Sequence, residues 1–178
     1  MNLKSKKIKN FILTVDGKSS SGKSTAAKLL AKKFKISHLS SGLIYRWAAK
    51  KIIENQPKDR VNYLKKILKN LNYNNLNKIN LHKPEISKFS AIIARDLKVR
   101  KIIKKKQISL VKKNRNKCVV EGRDSHLIFS KAFVKFYLKS NLKTASLRRF
   151  KELKKKDMKI SLKKITADLK KRDYSDTK

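Results

Sequence analysis

FILTVDGKSSSGKST, residues 11–25, is the stretch that decides the fold of this chain. An apolar, β-rich run opens it, and residues 17–24 then match the pattern G-x-x-x-x-G-K-S/T. Apolar residues at helical spacing follow at once, so the motif lies between a predicted strand and a predicted helix. The two glycines let backbone N–H groups curl toward phosphate oxygens, and the positive end of the helix faces the same oxygens. The stretch therefore predicts a phosphate-binding P-loop in an α/β fold.

The P-loop supplies the candidate ATP-binding residues. We expect Lys23 to reach the β- and γ-phosphates and Ser24 to offer its hydroxyl to Mg²⁺. The other candidates are the loop residues whose backbone surrounds the phosphates, namely Gly17, Lys18, Ser19, Ser20, Ser21, Gly22 and Thr25. The motif alone indicates a nucleoside triphosphate and leaves open what is done with it.

Positive charge dominates the composition, since 50 Lys and Arg against 12 Asp and Glu give a formal net charge of +38. Such an excess suggests a polyanionic partner such as RNA or DNA. Because the lysines are spread along the whole chain, we favour a codon bias combined with phosphate handling, and nucleic-acid binding is the alternative. The single cysteine, Cys118, excludes an internal disulfide and fits a reducing compartment. No run has the pattern of a signal peptide or membrane span, so we expect a cytoplasmic protein without membrane association.

Two short motifs follow later strand candidates. SGLIYR, residues 41–46, opens a predicted helix at the edge of the sheet where ligands bind in α/β folds. EGRD, residues 121–124, follows a buried-strand signal. A guanidinium at Arg46 or Arg123 is suited to grip a phosphate, and Asp124 could accept hydrogen bonds from a sugar hydroxyl. Taken singly, Arg46 is better interpreted as a surface arginine and EGRD as a charged turn.

Together and in this order, SGLIYR, LHKPEIS, KVR with Gln107, EGRD and KRDYSD resemble the bacterial cytidylate kinases, a branch of the nucleoside monophosphate kinases. The resemblance implies transfer of a phosphoryl group from ATP to CMP or dCMP, with Mg²⁺. It implies a P-loop kinase with a parallel β-sheet flanked by helices, a reduced substrate insert and a helical lid. It assigns catalysis to Lys23 and to the lid arginines Arg148 and Arg149. It assigns substrate binding to Ser41, Arg46, Arg100, Arg123, Asp124, Arg172 and Asp176.

We expect one kinase domain over residues 1–178, with the substrate insert in residues 57–95 and the lid in residues 141–178. The chain departs from the family pattern in having Ser40 and Glu121 where Asp is usual and a shorter insert. We also expect the family's final strand and helix to be absent, either because the sequence is a fragment or because it is an unusual member. We expect a monomer acting on small nucleotides. The alternatives are a kinase for another acceptor (UMP, shikimate or a nucleoside), a non-catalytic nucleic-acid-binding protein, and a kinase remnant that binds ATP without turnover.

The remaining pattern predicts the other elements. Residues 71–80 indicate a loop or a weak short strand, and residues 86–110 indicate helix with a break near Arg95 and Asp96. Residues 132–138 indicate an apolar strand, and two basic helices are expected over residues 144–156 and 160–171.

Overall fold

A computed structural model describes residues 10–154 and 161–176 of the chain. The strands are Phe11–Gly17 (β1), Ser37–Ser40 (β2), Lys117–Gly122 (β3) and Val134–Leu138 (β4). The helices are Lys23–Phe34 (α1), Ser41–Asn55 (α2), Arg60–Lys69 (α3), Pro84–Ile93 (α4), Leu97–Lys113 (α5), Ser125–Ile128 (α6), Leu142–Lys154 (α7) and Leu162–Asp176 (α8), with a 3-10 helix at Tyr73–Lys78. The four strands form a parallel sheet in the order β2-β3-β1-β4, which confirms the α/β class.

The described chain divides into two compact units. Residues 10–11 and 39–118 form the first, and residues 12–38, 119–154 and 161–176 form the second. The expected single domain, its insert over residues 57–95 and its lid over residues 141–178 stay predictions. Among the described residues, no helix has the length and apolar character needed to cross a membrane.

Helix α2 is the centre of the first unit. Its inward face buries Ile44, Trp47, Ala48 and Ile52, each at most 9% exposed. This face packs against α4 and the 3-10 helix, while α3 packs against α5. The apolar spacing that predicts the helix therefore also predicts which side of α2 is buried.

The segment 71–80 differs from its prediction, because it forms the 3-10 helix Tyr73–Lys78 and no strand. The Asn72 side chain accepts a hydrogen bond from the backbone N–H of Asn74 (3.2 Å), which starts the turn. Leu76 is 1% exposed, so its side chain packs the turn against the interior of the unit. The asparagine-rich sequence thus indicates that the chain turns here, while the burial of one leucine decides that the turn is a 3-10 helix.

The predicted break between α4 and α5 is confirmed. The Asp96 carboxylate accepts hydrogen bonds from the N–H groups of Lys98 (2.8 Å) and Val99 (3.2 Å), which makes Asp96 the cap of α5. A side-chain acceptor at this position satisfies donors that the helix leaves without intrahelical partners. Asp96 therefore starts α5, a few residues after α4 ends at Ile93.

The second unit contains the P-loop strand and a small helical core. Leu13 and Val15 of β1 and Val119 and Val120 of β3 are nearly inaccessible. Ala145 and Leu153 of α7 pack with Ile165 and Leu169 of α8. The predicted basic helices are confirmed, with α8 extending to Asp176. Their apolar stripes pack against one another while their lysines stay at the surface.

Strand β4 is exposed, although its sequence is apolar. It pairs with β1 on one side and ends the sheet as described. Phe136 is 39% exposed and Tyr137 is 55% exposed. An exposed apolar edge strand offers unpaired backbone groups to other chains, so it favours association.

We predict that Tyr137→Lys reduces self-association at high salt, where the positive charges no longer keep the molecules apart. Light scattering against protein concentration measures the effect. The matched control is Leu97→Lys, because Leu97 is 78% exposed but lies on a helix. Equal effects of both substitutions would show that exposed apolar area, and not the strand edge, drives association.

Cys118 lies in the interior of the first unit at 0% exposure, and burial raises the pKa of its thiol to about 12. The thiol is therefore protonated at pH 8, and a protonated thiol is a poor nucleophile. We predict that the folded chain reacts with a thiol reagent at pH 8 at least about tenfold more slowly than the chain in denaturant. Equal rates would contradict the burial of this strand.

Candidate functional site

The P-loop curls tightly between β1 and α1. A Cβ atom built on Gly17 would lie 2.4 Å from the carbonyl oxygen of Leu138 and 2.9 Å from Ser21 Oγ, so no side chain fits there. Gly22 has a φ of 93° and Ser20 a φ of 55°, both in the left-handed region. These dihedrals turn the loop back on itself, which is the shape that points backbone N–H groups toward an anion.

Lys23 lies across this loop. Its Nζ donates a hydrogen bond to the carbonyl oxygen of Lys18 (2.6 Å), and the N–H of Ser21 points to the same oxygen (3.4 Å). The ammonium group is therefore held beside the loop backbone, where the phosphates of a bound nucleotide are expected.

The EGRD motif reaches the P-loop at two points. Ser24 Oγ donates to Glu121 Oε1 (3.0 Å), and Arg123 Nη2 donates to Ser19 Oγ (2.7 Å). One strand exit thus brings a carboxylate to the end of the loop and a guanidinium to its beginning. Glu121 was given no role by the sequence analysis. Its position at the carboxyl end of β3, the strand that neighbours β1, is the signal that could have identified it, because the carboxyl ends of parallel strands share one edge.

Asp16 holds the EGRD exit in place. Its carboxylate is 1% exposed and accepts hydrogen bonds from the N–H groups of Ser125 (2.9 Å) and His126 (2.8 Å). The Nδ1 atom of His126 also lies 3.0 Å from Asp16 Oδ2. The residue before the P-loop therefore orders the residues after EGRD. Glu121 has a similar neighbour, since His38 Nε2 lies 3.7 Å from Glu121 Oε2.

Helices α7 and α8 also contact the loop. Arg148 Nη1 donates to the carbonyl oxygen of Ser21 (3.3 Å), while the N–H of Ser19 donates to the Asp173 carboxylate (3.3 Å). Arg149 instead pairs with Glu152 of its own helix (2.8 Å). Of the two arginines that the sequence assigns to catalysis, the structure brings Arg148 to the P-loop and directs Arg149 elsewhere.

The candidate acceptor residues of the first unit gather at the start of α2. Ser41 is the first residue of this helix and is 6% exposed. The guanidinium of Arg46 folds back over Gly42, with Nη1 3.2 Å from where a Cβ on Gly42 would lie. Arg100 belongs to α5 and is exposed.

The remaining candidates lie in the second unit. Asp124 precedes α6, and its carbonyl oxygen accepts the N–H groups of Leu127 and Ile128. Arg172 and Asp176 belong to α8, and the structure describes only their backbone.

The structure also limits the kinds of metal site present. No group of three or more His, Cys, Asp or Glu side chains in the described part of the chain is arranged to hold a metal ion. Ser24 and Glu121 nevertheless place a hydroxyl and a carboxylate oxygen 3.0 Å apart. Mg²⁺ prefers such oxygen donors and keeps several waters, so it needs few protein ligands. The pair therefore fits Mg²⁺ and does not suit a metal that requires a cage of protein ligands.

We predict that Asp16→Ala lowers the free energy of unfolding by about 2–5 kcal/mol, because two buried N–H groups lose their acceptor. His126→Ala removes only the ring and keeps both backbone bonds, so we expect a loss of about 1 kcal/mol. Urea unfolding of the two variants measures the difference. Similar losses in both would show that the imidazole, and not the backbone, carries the interaction.

Comparison with known proteins agrees with these observations. A sequence model of the family described as cytidylate kinase matches residues 13–178. The chain is 34% identical over 172 residues to the cytidylate kinase of Bartonella bacilliformis, covering 93% of this chain and 78% of that protein. It is 30% identical over 183 residues to the cytidylate kinase of Mycoplasmoides gallisepticum, covering 97% of this chain and 80% of that protein. The expected kinship is confirmed: the chain belongs to the cytidylate kinase family of nucleoside monophosphate kinases.

Proposed function

We propose that this chain transfers the γ-phosphoryl group of ATP to the phosphate of CMP or dCMP. The bond between the γ-phosphorus and the bridging oxygen of ADP breaks, and a new bond forms to an oxygen of the acceptor phosphate. The products are ADP and CDP or dCDP. The acceptor oxygen is already anionic, so the reaction needs positioning and charge neutralisation more than it needs a general base.

The observation that carries this proposal is the double contact between the EGRD exit and the P-loop. Arg123 bonds to Ser19 and Glu121 bonds to Ser24, so a cation and an anion flank the same loop. A cation there suits a phosphoryl group, while an anion beside the P-loop serine suits a metal ion. On a surface that only bound nucleic acid, the arginine would raise the affinity for phosphates, while a buried carboxylate would not.

On the donor side, we assign the P-loop backbone and Lys23 to the phosphates of ATP. Arg148 contacts the loop at Ser21, which supports a role in neutralising charge on the group in transfer. Arg149 is paired with Glu152, so it would have to exchange this partner to act in the same way. We therefore rank Arg148 above Arg149 as a catalytic residue.

We propose Ser24 and Glu121 as the residues that hold Mg²⁺. When bound, the ion supplies positive charge to the phosphate oxygens of ATP. Glu121 is 6% exposed, and its bond to Ser24 keeps the two oxygens 3.0 Å apart. Glutamate is longer than the aspartate usual in the family, and the hydrogen bond to Ser24 shows that the longer side chain still reaches the loop.

On the acceptor side, we assign phosphate binding to Ser41, Arg46, Arg100, Arg123 and Arg172, as the family resemblance implies. Asp124 and Asp176 are assigned to the sugar and the base. Because all of these residues belong to one chain, we propose that the protein acts as a monomer. We place the reaction in the cytoplasm, where ATP and CMP are both available.

The first test measures ADP release from ATP and Mg²⁺ with CMP, dCMP, UMP, AMP or shikimate as acceptor. We expect turnover with CMP or dCMP and a loss of kcat/KM of at least about 100-fold in Lys23→Ala, because charge stabilisation of this kind has that magnitude. Lys32→Ala is the control, since Lys32 lies exposed at the far end of the same helix. Preference for UMP or shikimate would replace the proposed acceptor. Salt-sensitive RNA binding that survives Lys23→Ala, without turnover, would favour the nucleic-acid-binding alternative.

The second test is a Mg²⁺ titration of ATP binding in Glu121→Gln. Glutamine can still accept the hydrogen bond from Ser24, so the fold should be kept while the charge is lost. We expect the Mg²⁺ concentration for half-maximal ATP binding to rise about tenfold. The control is Glu54→Gln, which removes an exposed carboxylate of α2 that pairs with Lys51. An unchanged titration in Glu121→Gln would remove Glu121 from the metal site.

A further inference from the structure

Tyr73 makes one contact that no motif in the sequence suggests. Its hydroxyl oxygen accepts a hydrogen bond from the backbone N–H of Ser40 (2.5 Å). Tyr73 is the first residue of the 3-10 helix, and Ser40 is the residue where β2 passes into α2. The bond therefore joins the 3-10 helix to the residue that precedes the SGLIYR motif.

The junction at Ser40 needs a partner from elsewhere in the chain. Ser40 precedes α2 in an extended conformation, and its own side chain makes no capping hydrogen bond. Strand β2 is the first strand in the order β2-β3-β1-β4, so one of its sides has no neighbouring strand among the described residues. Ser40 is also 5% exposed, and a buried N–H group without an acceptor is costly. The Tyr73 hydroxyl supplies that acceptor.

The same junction places the candidate acceptor residues. Ser41 follows directly, and Arg46 lies in the next turn with its guanidinium folded over Gly42. A shift of the backbone at Ser40 would move the start of α2 and both side chains with it. Because a phosphate grip depends on geometry at the level of an ångström, such a shift would weaken acceptor binding.

The 3-10 helix is anchored well enough to hold the hydroxyl in position. Asn72 caps its start, Leu76 is 1% exposed and Leu81, just beyond it, is 0% exposed. The helix packs directly against α2. Tyr73 therefore belongs to a short helix that is held in place by buried leucines and by packing against α2.

From these contacts we propose that Tyr73 is a positioning residue for the acceptor nucleotide. Its hydroxyl fixes the junction between β2 and α2, and through that junction it sets the positions of Ser41 and Arg46. The role of this residue rests on the proposed function, because it matters for catalysis only if SGLIYR holds the acceptor.

The test is Tyr73→Phe, which removes only the hydroxyl. We expect KM for CMP to rise about three- to tenfold, with KM for ATP unchanged, because one neutral hydrogen bond is lost on the acceptor side alone. Deuterium exchange of the Ser40 amide should quicken by a similar factor. Trp47, the single tryptophan of the chain, lies one residue after Arg46. Its fluorescence offers a second measure of CMP binding.

Tyr63→Phe is the matched control. Tyr63 also contacts α2 through its hydroxyl, but as a donor to the carbonyl oxygen of Lys51 (3.5 Å), near the opposite end of the helix. We expect neither KM nor the exchange at Ser40 to change in this variant. Tyr73→Leu removes the ring as well and separates the packing of the ring from the action of the hydroxyl.

Normal exchange at Ser40 and normal KM for CMP in Tyr73→Phe would overturn the proposal, whatever Tyr73→Leu does. Equal rises of KM for CMP and for ATP would also overturn it, because they would indicate general loosening. If the unaltered chain shows no CMP-dependent turnover, the proposed function fails by itself. The exchange experiment then still decides whether Tyr73 holds the junction, and unchanged exchange would contradict it.

Discussion

One buried carboxylate orders the P-loop side of this kinase. Asp16 ends the apolar part of β1, and both of its oxygens accept hydrogen bonds from the two residues that follow EGRD. A buried charge is tolerated only when it is paired or hydrogen-bonded, so this carboxylate requires the exit of β3 to take one path. Along that path Arg123 meets Ser19 and Glu121 meets Ser24. The groups that we propose to surround the phosphates therefore depend on a residue that need not touch the nucleotide.

The high net charge of the chain contributes little to this arrangement. Three cations are each bonded to a neutral oxygen of the loop: Lys23 to Lys18, Arg123 to Ser19 and Arg148 to Ser21. Such donors are already oriented before the charge of the phosphates arrives, and prior orientation is what makes electrostatic stabilisation effective. The helix lysines with hydrogen bonds in the described part of the chain make them at exposed positions, as Lys50 and Lys51 do with Glu54 and Lys106 with the Lys69 carbonyl oxygen. A charge run of that kind is usually a solvated face.

The features that the sequence predicted correctly are those decided by neighbouring residues. The P-loop follows from its spacing, and the break before α5 follows from the cap at Asp96. Long-range partners were not predictable in this way. Arg148 and Arg149 are adjacent in sequence, yet helical geometry sends one to Ser21 and the other to Glu152. The contact of Tyr73 with Ser40 joins residues with a sequence separation of 33, and no local pattern marks it.

The central claim is that the phosphoryl group goes to a cytidine monophosphate and not to water. The most direct measurement is the fate of a label on the γ-phosphate of ATP after incubation with Mg²⁺ and CMP or dCMP. The account predicts that the label appears in CDP or dCDP in amounts equal to the ADP formed. Label found only in inorganic phosphate, or remaining in ATP when the folded chain binds both nucleotides, would contradict it.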